Sequence, residues 1–350
     1  MKINIYIPSI AIHPTGGVKI MYEYANRLAQ KGHDVLVYNI YTNEFWLYRF
    51  PHWLRTIKND ILHRNFRPSW YDLDEKVKCL NIPRLKEKYV RDASISLSTN
   101  WALAFPLNEL SRQKGKKINL IQGYELWIGN NKEMLHASYR LPIIHVVIAD
   151  YLADILEKEN GIRPPIVYNA IDEIIFNLKT PIETRNPYTI SMLFSILEEV
   201  KGTQYGLEAL RICKKEVPDL RVELFGVHPK PQKIEKWMHY TQKPQNLCAL
   251  YNSTSIYFTP SNTEGWALPP AEAMTCGCAL VCTDIGGHGA YAKKDETALM
   301  VKPKDTQDMA EKLLILLKNN EKRISLAKRG NEFIQQFCWE KSIEKIEQLF

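Results

Sequence analysis

Short apolar runs alternate with helix-patterned segments almost from one end of this chain to the other, and the alternation starts over near its midpoint. In the first half, residues 2–8, 35–38, 95–97, 118–121 and 143–148 read as strands. Helices are expected over residues 18–31, closed by Gly32, and over residues 151–159. In the second half, strands are expected at 189–195, 221–225, 255–259, 279–282 and 299–301. Helices are expected at 203–215, 247–252, 269–276, 305–318 and 321–337. Parallel strands need long crossovers, usually helical, so this rhythm predicts parallel sheets covered by helices on both faces. Residues 172–187 carry prolines and charges without periodicity and read as a linker. The expected organisation is therefore an N-terminal α/β domain over 1–172, a C-terminal one over 173–337, and a closing helix over 338–350.

At 350 residues, with 45% hydrophobic and 24% charged residues, the chain has the composition of a soluble globular protein. No stretch approaches the roughly 18 consecutive apolar residues of a membrane span. Residues 1–7 are too short and too interrupted for a secretory signal and read as a first strand, which predicts a cytoplasmic location. Seven cysteines, an odd number, fit reduced thiols. Cys276, Cys278 and Cys282 cluster, but no second cysteine pair or histidine pair completes a zinc site, so they read as small buried residues. Asp72-Leu73-Asp74 lies in a helical-looking charged stretch and reads as a solvated face. No metal and no cofactor is expected. The net charge of +7 permits attraction to phosphates or anionic surfaces and identifies neither. Basic residues are dispersed and no nucleic-acid module is recognisable, which argues against a nucleic-acid partner.

Residues 44–71 interrupt the pattern. Phe45, Trp46, Tyr48, Phe50, Trp53 and Trp70 stand among Arg49, Arg55, Lys58, Arg64 and Arg67. Such a segment fits peripheral contact with the inner face of a membrane, or a grip on an extended acceptor. It fits equally a helical excursion whose aromatics close over a core while the cationic heads snorkel to water.

The most informative stretch runs from Thr259 through Glu264, Gly265, Trp266, Ala267 and Leu268 to Glu272 and Met274. A strand ends at Thr259, a polar loop follows, and a helix begins near Pro269 or Pro270, where a missing N–H costs no bond. In a parallel sheet this loop lies at the carboxyl edge, where ligands bind, and the helix start suits a diphosphate. Glu264 on the loop can accept from sugar hydroxyls. Glu272, expected in the first helical turn, can accept from both hydroxyls of a ribose. Taken alone, the pair is explained equally well by a stabilised helix start and a solvated loop.

The string Glu-Gly-Trp-Ala-Leu-Pro-Pro-Ala-Glu-Ala-Met, with its Glu-x7-Glu spacing, resembles the donor-binding signature of glycosyltransferase family 4. Cys276-Gly277-Cys278-Ala279-Leu280-Val281 and Asp284-Ile285-Gly286-Gly287 continue the match. Gly16-Gly17, Tyr168-Asn169-Ala170-Ile171-Asp172, Lys201-Gly202, Leu224-Phe225-Gly226, Leu250-Tyr251-Asn252 and Phe337-Cys338-Trp339-Glu340 all fall in family order. The resemblance implies a GT-B fold, two Rossmann-like domains whose sheets face an interdomain cleft, with the closing helix crossing back to the first domain. It implies retaining transfer of a sugar from a nucleotide diphosphate donor to a hydroxyl of a glycan or lipid-linked acceptor.

By that resemblance Glu264 is the candidate catalytic-site carboxylate, positioning the sugar. The backbone of Gly265, Trp266, Ala267 and Leu268 holds sugar and diphosphate, Glu272 the ribose and Lys201 a phosphate, with Gly226 beside the base. Gly16 and Gly17 open the first helix toward the donor, although a plain tight turn explains them as well. His13, Tyr124 and Glu125 line the acceptor or sugar pocket. Two departures stand out. Ile196 occupies a place where the family usually carries arginine, with Lys19 and Lys230 as conceivable substitutes. Ile121-Gln122-Gly123-Tyr124-Glu125 replaces the usual His-Asp-like pair. That variant, with Gly286-Gly287-His288-Gly289-Ala290-Tyr291, is similar to rhamnosyltransferases that use dTDP-sugars, leaving dTDP- or UDP-linked donors, dTDP-rhamnose among them. A catalytically weak nucleotide-sugar-binding protein and a sugar-nucleotide epimerase or phosphorylase are the competing readings.

Overall fold

β1 (Lys2–Ile7) is buried at every position after its first, including the polar Asn4, as expected of a strand covered on both faces. Asn4 is accommodated by hydrogen bonds: its amide donates to the Arg91 carbonyl at 3.0 Å and its oxygen accepts from Arg91 Nε at 3.1 Å. The computed structural model describes residues 1–41, 67–126, 131–231 and 234–350. These fall into two compact units, Met1–Asn169 with Glu340–Phe350, and Ala170–Trp339.

Unit 1 runs β1, α1 (Gly16–Gln30), β2 (Asp34–Ile40), β3 (Lys78–Ile82), β4 (Ile95–Thr99), α2 (Trp101–Glu109), β5 (Lys116–Ile121), α3 (Lys132–Tyr139), β6 (Ile144–Val147) and α4 (Asp150–Asn160). Unit 2 opens with β7 (Thr189–Leu193), α5 (Glu198–Lys201), α6 (Thr203–Glu216), β8 (Arg221–Gly226) and β9 (Met238–Gln242). It continues with α7 (Leu247–Ser253), β10 (Ile256–Thr259), α8 (Leu268–Thr275), β11 (Ala279–Thr283), β12 (Ala298–Val301), α9 (Thr306–Lys318) and α10 (Asn320–Ile334). α11 (Trp339–Glu347) closes the chain.

Among the described residues every strand pairing is parallel, in the orders β3-β2-β1-β4-β5-β6 and β12-β11-β10-β7-β8-β9. Counted from its own first strand, each sheet has the Rossmann order 3-2-1-4-5-6. The order reverses between β1 and β4 in one sheet and between β7 and β10 in the other. Such switch points place two loops side by side at the carboxyl edge.

Several expectations change. The first helix begins at Gly16 rather than near Val18, so both glycines lie within its first turn. The Asp72–Asp74 stretch is not helical. Arg67 donates to the carbonyls of Leu73, Asp74 and Val77, and Asn26 donates to that of Asp72, holding the stretch as a turn. Residues 172–187, read as a linker, are mostly exposed but anchored at three points. Phe176, Ile182 and Arg185 are buried, and the Arg185 guanidinium donates to the carbonyls of Thr180 at 2.8 Å, Thr254 at 3.0 Å and Cys276 at 2.5 Å. An arginine spending its donors on carbonyls leaves no periodic trace in sequence.

In the aromatic-basic segment, Phe45, Trp46, Tyr48, Arg49, Phe50, Trp53, Arg55, Lys58 and Arg64 lie outside the described residues. Of the rest, Trp70 packs at a tilt against Tyr22 of α1 with centroids 5.8 Å apart and donates to the Ala11 carbonyl at 2.7 Å. Among the described residues, no helix is long and apolar enough to cross a membrane. α11 buries Ile343 and Ile346, donates from Ser342 to the Tyr168 carbonyl, and pairs Glu347 with Lys31 and His33 of unit 1.

Candidate active site at the β7/β10 switch point

The short helix α5, in the connection after β7, ends on Lys201, and the loop after β10 carries Glu264. They are laced together by backbone bonds: the amides of Asn262 and Thr263 both donate to the Val200 carbonyl, at 2.8 and 3.3 Å. Gly202 makes this approach feasible. It sits at φ +58°, and a Cβ there would stand 2.4 Å from the Pro260 carbonyl oxygen. On the other side Gly287 packs against the Glu264 backbone so tightly that a Cβ would come within 2.4 Å of the Glu264 carbonyl oxygen.

Held this way, Lys201 Nζ lies 2.6 Å from Glu264 Oε1, and Ser261 Oγ donates to the same oxygen at 2.8 Å. The side chains of this ion pair are 24% and 12% exposed, open enough to meet a ligand. Ser261 is itself buried, and its carbonyl accepts from Thr283 Oγ1. α8 follows directly. It has proline in its first turn and no side-chain cap, which leaves its positive end to whatever lies in front of it.

Glu272 lies in the second turn of α8 rather than the first, and is 5% exposed. Tyr251, on α7, donates to Glu272 Oε2 at 3.4 Å. Both glutamates bear on one group. The Tyr257 phenol on β10 is held well above its ordinary pKa by burial first, and then by the charges of Glu272 and Glu264.

Trp266 and Ala267 turn their side chains inward: the indole packs on Tyr291 at 4.9 Å and Phe337 at 5.8 Å. Ala267 accepts from Tyr291 Oη at 2.9 Å and donates to the Gly287 carbonyl at 3.4 Å, so its backbone groups serve the loop itself. His288 braces the same loop from behind. It is fully buried, its Nδ1–H donates to the Thr283 carbonyl at 2.9 Å, and burial lowers its pKa. At Gly226 a Cβ would meet the Phe194 carbonyl oxygen at 2.6 Å and Tyr240 Oη at 2.9 Å. Ile196, Leu197 and Val227 are exposed just beyond the ends of β7 and β8, and Lys230 is exposed on the loop after β8.

Unit 1 carries the remaining candidates around its own switch point. His13 is exposed in the loop after β1, and Gly16 and Gly17 open α1. Gln122 bridges the point: its Nε2 donates to the Gly17 carbonyl at 3.0 Å and to Thr99 Oγ1 at 2.9 Å. Tyr124 Oη lies 2.8 Å from His136 Nε2, and His136 Nδ1 lies 2.6 Å from Glu159. Glu125 accepts from the Trp101 amide at 3.3 Å at the start of α2. Burial raises its carboxyl to about 7, against the lowering effect of the Trp101 and Asn100 hydrogen bonds.

Sequence reasoning missed Ser261, Tyr251 and Gln122 as parts of these sites. Ser261 stands three residues before Glu264, a usable local signal; Tyr251 and Gln122 meet their partners only through the fold. Cys276 and Cys278 are buried thiols, with Cys276 Sγ 3.9 Å from Cys248 Sγ. Among the described residues no trio of histidine, cysteine and carboxylate side chains could hold a metal.

Two parallel six-stranded Rossmann-like sheets in separate units define the GT-B class of glycosyltransferase structure. The Anabaena protein HepE, solved in complex with UDP, superposes with a TM-score of 0.76 over 100% of this chain and 99% of its own, at 13% identity. Residues 179–333 match the model of the family described as glycosyl transferases group 1. The chain is 26% identical to an N-acetyl-alpha-D-glucosaminyl L-malate synthase of Bacillus anthracis over 71% of its length and 70% of that protein. It is 22% identical to an uncharacterized glycosyltransferase of Methanocaldococcus jannaschii over 59% of its length. That alignment spans 58% of the relative, less than two thirds.

Proposed function

We propose that the chain transfers a sugar from a dTDP- or UDP-linked donor to a hydroxyl of a glycan or lipid-linked acceptor, with retention at the anomeric carbon. The observation that carries this reading is the meeting of Lys201 and Glu264 at the β7/β10 switch point, directly before a helix start without a side-chain cap. The departing group is a diphosphate, and negative charge grows on it as the sugar becomes oxocarbenium-like. Lys201, the Leu268 amide and the positive end of the α8 dipole stabilise that charge, Pro269 and Pro270 having no N–H to give. Glu264 accepts from sugar hydroxyls and fixes the ring, while Glu272 accepts from the ribose. The acceptor attacks from the face the diphosphate leaves, and a departing phosphate oxygen takes its proton. No covalent nucleophile is required.

The UDP complex of HepE supports a nucleotide diphosphate in the site. The dTDP-sugar preference, dTDP-rhamnose included, is supported by Gln122-Gly123-Tyr124-Glu125 and by the turn around His288. A thermal-shift screen of UDP, dTDP, GDP and ADP with their sugars tests the reading, because a ligand bound only by the folded state raises the melting temperature. UDP or dTDP compounds should raise Tm by a few degrees. The reading fails if no nucleotide diphosphate or nucleotide sugar does so. NMR of the product's anomeric coupling then reads retention directly.

A further inference from the structure

The ion pair at the switch point has a consequence for which ligand the site prefers, and that consequence rests on the donor reading just given. We propose that Glu264 competes with the donor's diphosphate for Lys201, so that the site selects intact nucleotide sugar over free nucleotide diphosphate.

Lys201 Nζ lies 2.6 Å from Glu264 Oε1, and the carboxylate is anchored at that same oxygen by Ser261 Oγ at 2.8 Å. Ser261 is buried and is itself held through its carbonyl by Thr283, so Glu264 does not readily follow the lysine when the lysine moves. A diphosphate arriving in front of α8 has to draw the ammonium toward itself. That leaves a largely buried carboxylate with a weakened counter-charge, next to an incoming anion. Both effects oppose binding, because a partly desolvated charge deprived of its partner is costly. Ile196, at 58% exposure, brings an apolar side chain and no charge to the neighbouring loop.

An intact donor meets the same loss and also repairs it. Its sugar hydroxyls are donors, and they supply to Glu264 the hydrogen bonds that the ammonium withdraws. Free nucleotide diphosphate has no such group. After transfer, when the sugar has left, Glu264 regains its claim on Lys201 and favours release of the spent nucleotide. The pair thus sets the order of affinities without contacting the base.

The test is calorimetric titration of UDP, dTDP, UDP-glucose and dTDP-glucose into the wild type, Glu264→Gln, Lys201→Met and the double variant. Glu264→Gln should bind the free diphosphates about fivefold more tightly and the nucleotide sugars more weakly. Lys201→Met should cost more diphosphate affinity in the Glu264→Gln background than in the wild type, since only there is the lysine uncommitted. Simple removal of a repelling charge would make those two losses equal. Equal losses, or a Glu264→Gln protein that binds UDP and dTDP no more tightly than wild type, overturn the proposal while leaving the donor reading intact. Failure of the wild type to bind any of the four ligands overturns both. Glu264→Ala takes the place of the glutamine variant should the latter not fold.

Discussion

The two sheets share one strand order and one switch point, yet the loops at their carboxyl edges carry opposite chemistry. In unit 2 the connections after β7 and β10 are joined by a charged pair, Lys201 with Glu264, backed by a second carboxylate at Glu272. In unit 1 the corresponding place is bridged by a neutral amide, Gln122, between Gly17 and Thr99. The charged edge can exchange its internal partners for phosphates and hydroxyls. The neutral edge offers fixed geometry and one carboxyl, Glu125, that holds a proton near neutrality. Topology supplies the place for a ligand, and loop residues decide what chemistry is done there.

The contrast is sharpest for donor affinity. Glu272→Ala should weaken nucleotide-sugar binding about thirtyfold, about 2 kcal/mol, by removing a charged acceptor from the ribose. Gln122→Leu in unit 1 should change the same affinity by less than about threefold. Comparable losses in titration calorimetry would erase the division of labour between the two edges.

A smaller contrast concerns backbone. Gly202→Ala places a Cβ 2.4 Å from the Pro260 oxygen at a positive φ and should cost about 2 kcal/mol of stability. At Gly17, inside α1, a Cβ meets Gln122 at an ordinary 3.6 Å, so Gly17→Ala should be neutral or stabilise by about 0.5 kcal/mol. Urea denaturation of the two variants reads the difference. Equal effects would mean that the close approach of the unit 2 loops is not specified by glycine.

The smallest effect is a pH dependence seated in unit 1. Glu125 has its carboxyl raised to about 7 in the folded state from an ordinary 4.5. Between those values the folded chain keeps a proton that the unfolded chain releases. The associated stability is complete below about 4.5 and is lost as pH rises through 7. Glu125 is only partly buried, so screening reduces the roughly 2.5 kcal/mol that the full shift gives between pH 5 and 8, and Glu125→Gln should remove about 1 kcal/mol of that decline over the same range. An unchanged slope in denaturation midpoints at the two pH values would show that Glu125 ionises freely.

Much of the architecture was legible from periodicity, because a doubly covered parallel strand is apolar throughout and its crossover helix has one apolar face. The strands that escaped notice, β3 and β9, both sit at an outer edge. Their sequences, Lys-Cys-Leu-Asn-Ile and Met-His-Tyr-Thr-Gln, mix polar and apolar residues because an edge strand is partly open to water. At the site, the Glu-x7-Glu spacing was readable because loop, proline and helix are contiguous. The ion pair was not, since its members stand 63 residues apart. Nor was the position of Glu272 in the second turn, which depends on the helix starting at Leu268.

By itself, the amino-acid sequence determined that this chain makes two parallel α/β sheets, and that two carboxylates flank the start of one particular helix. Those properties follow from local periodicity and short spacings, which the backbone obeys whatever surrounds it. Only the tertiary structure decided that Lys201 faces Glu264, that Tyr251 reaches Glu272 and that Gln122 spans the other switch point. Each of these contacts joins strands or helices far apart along the chain, and strand order, not sequence distance, brings them within hydrogen-bond reach.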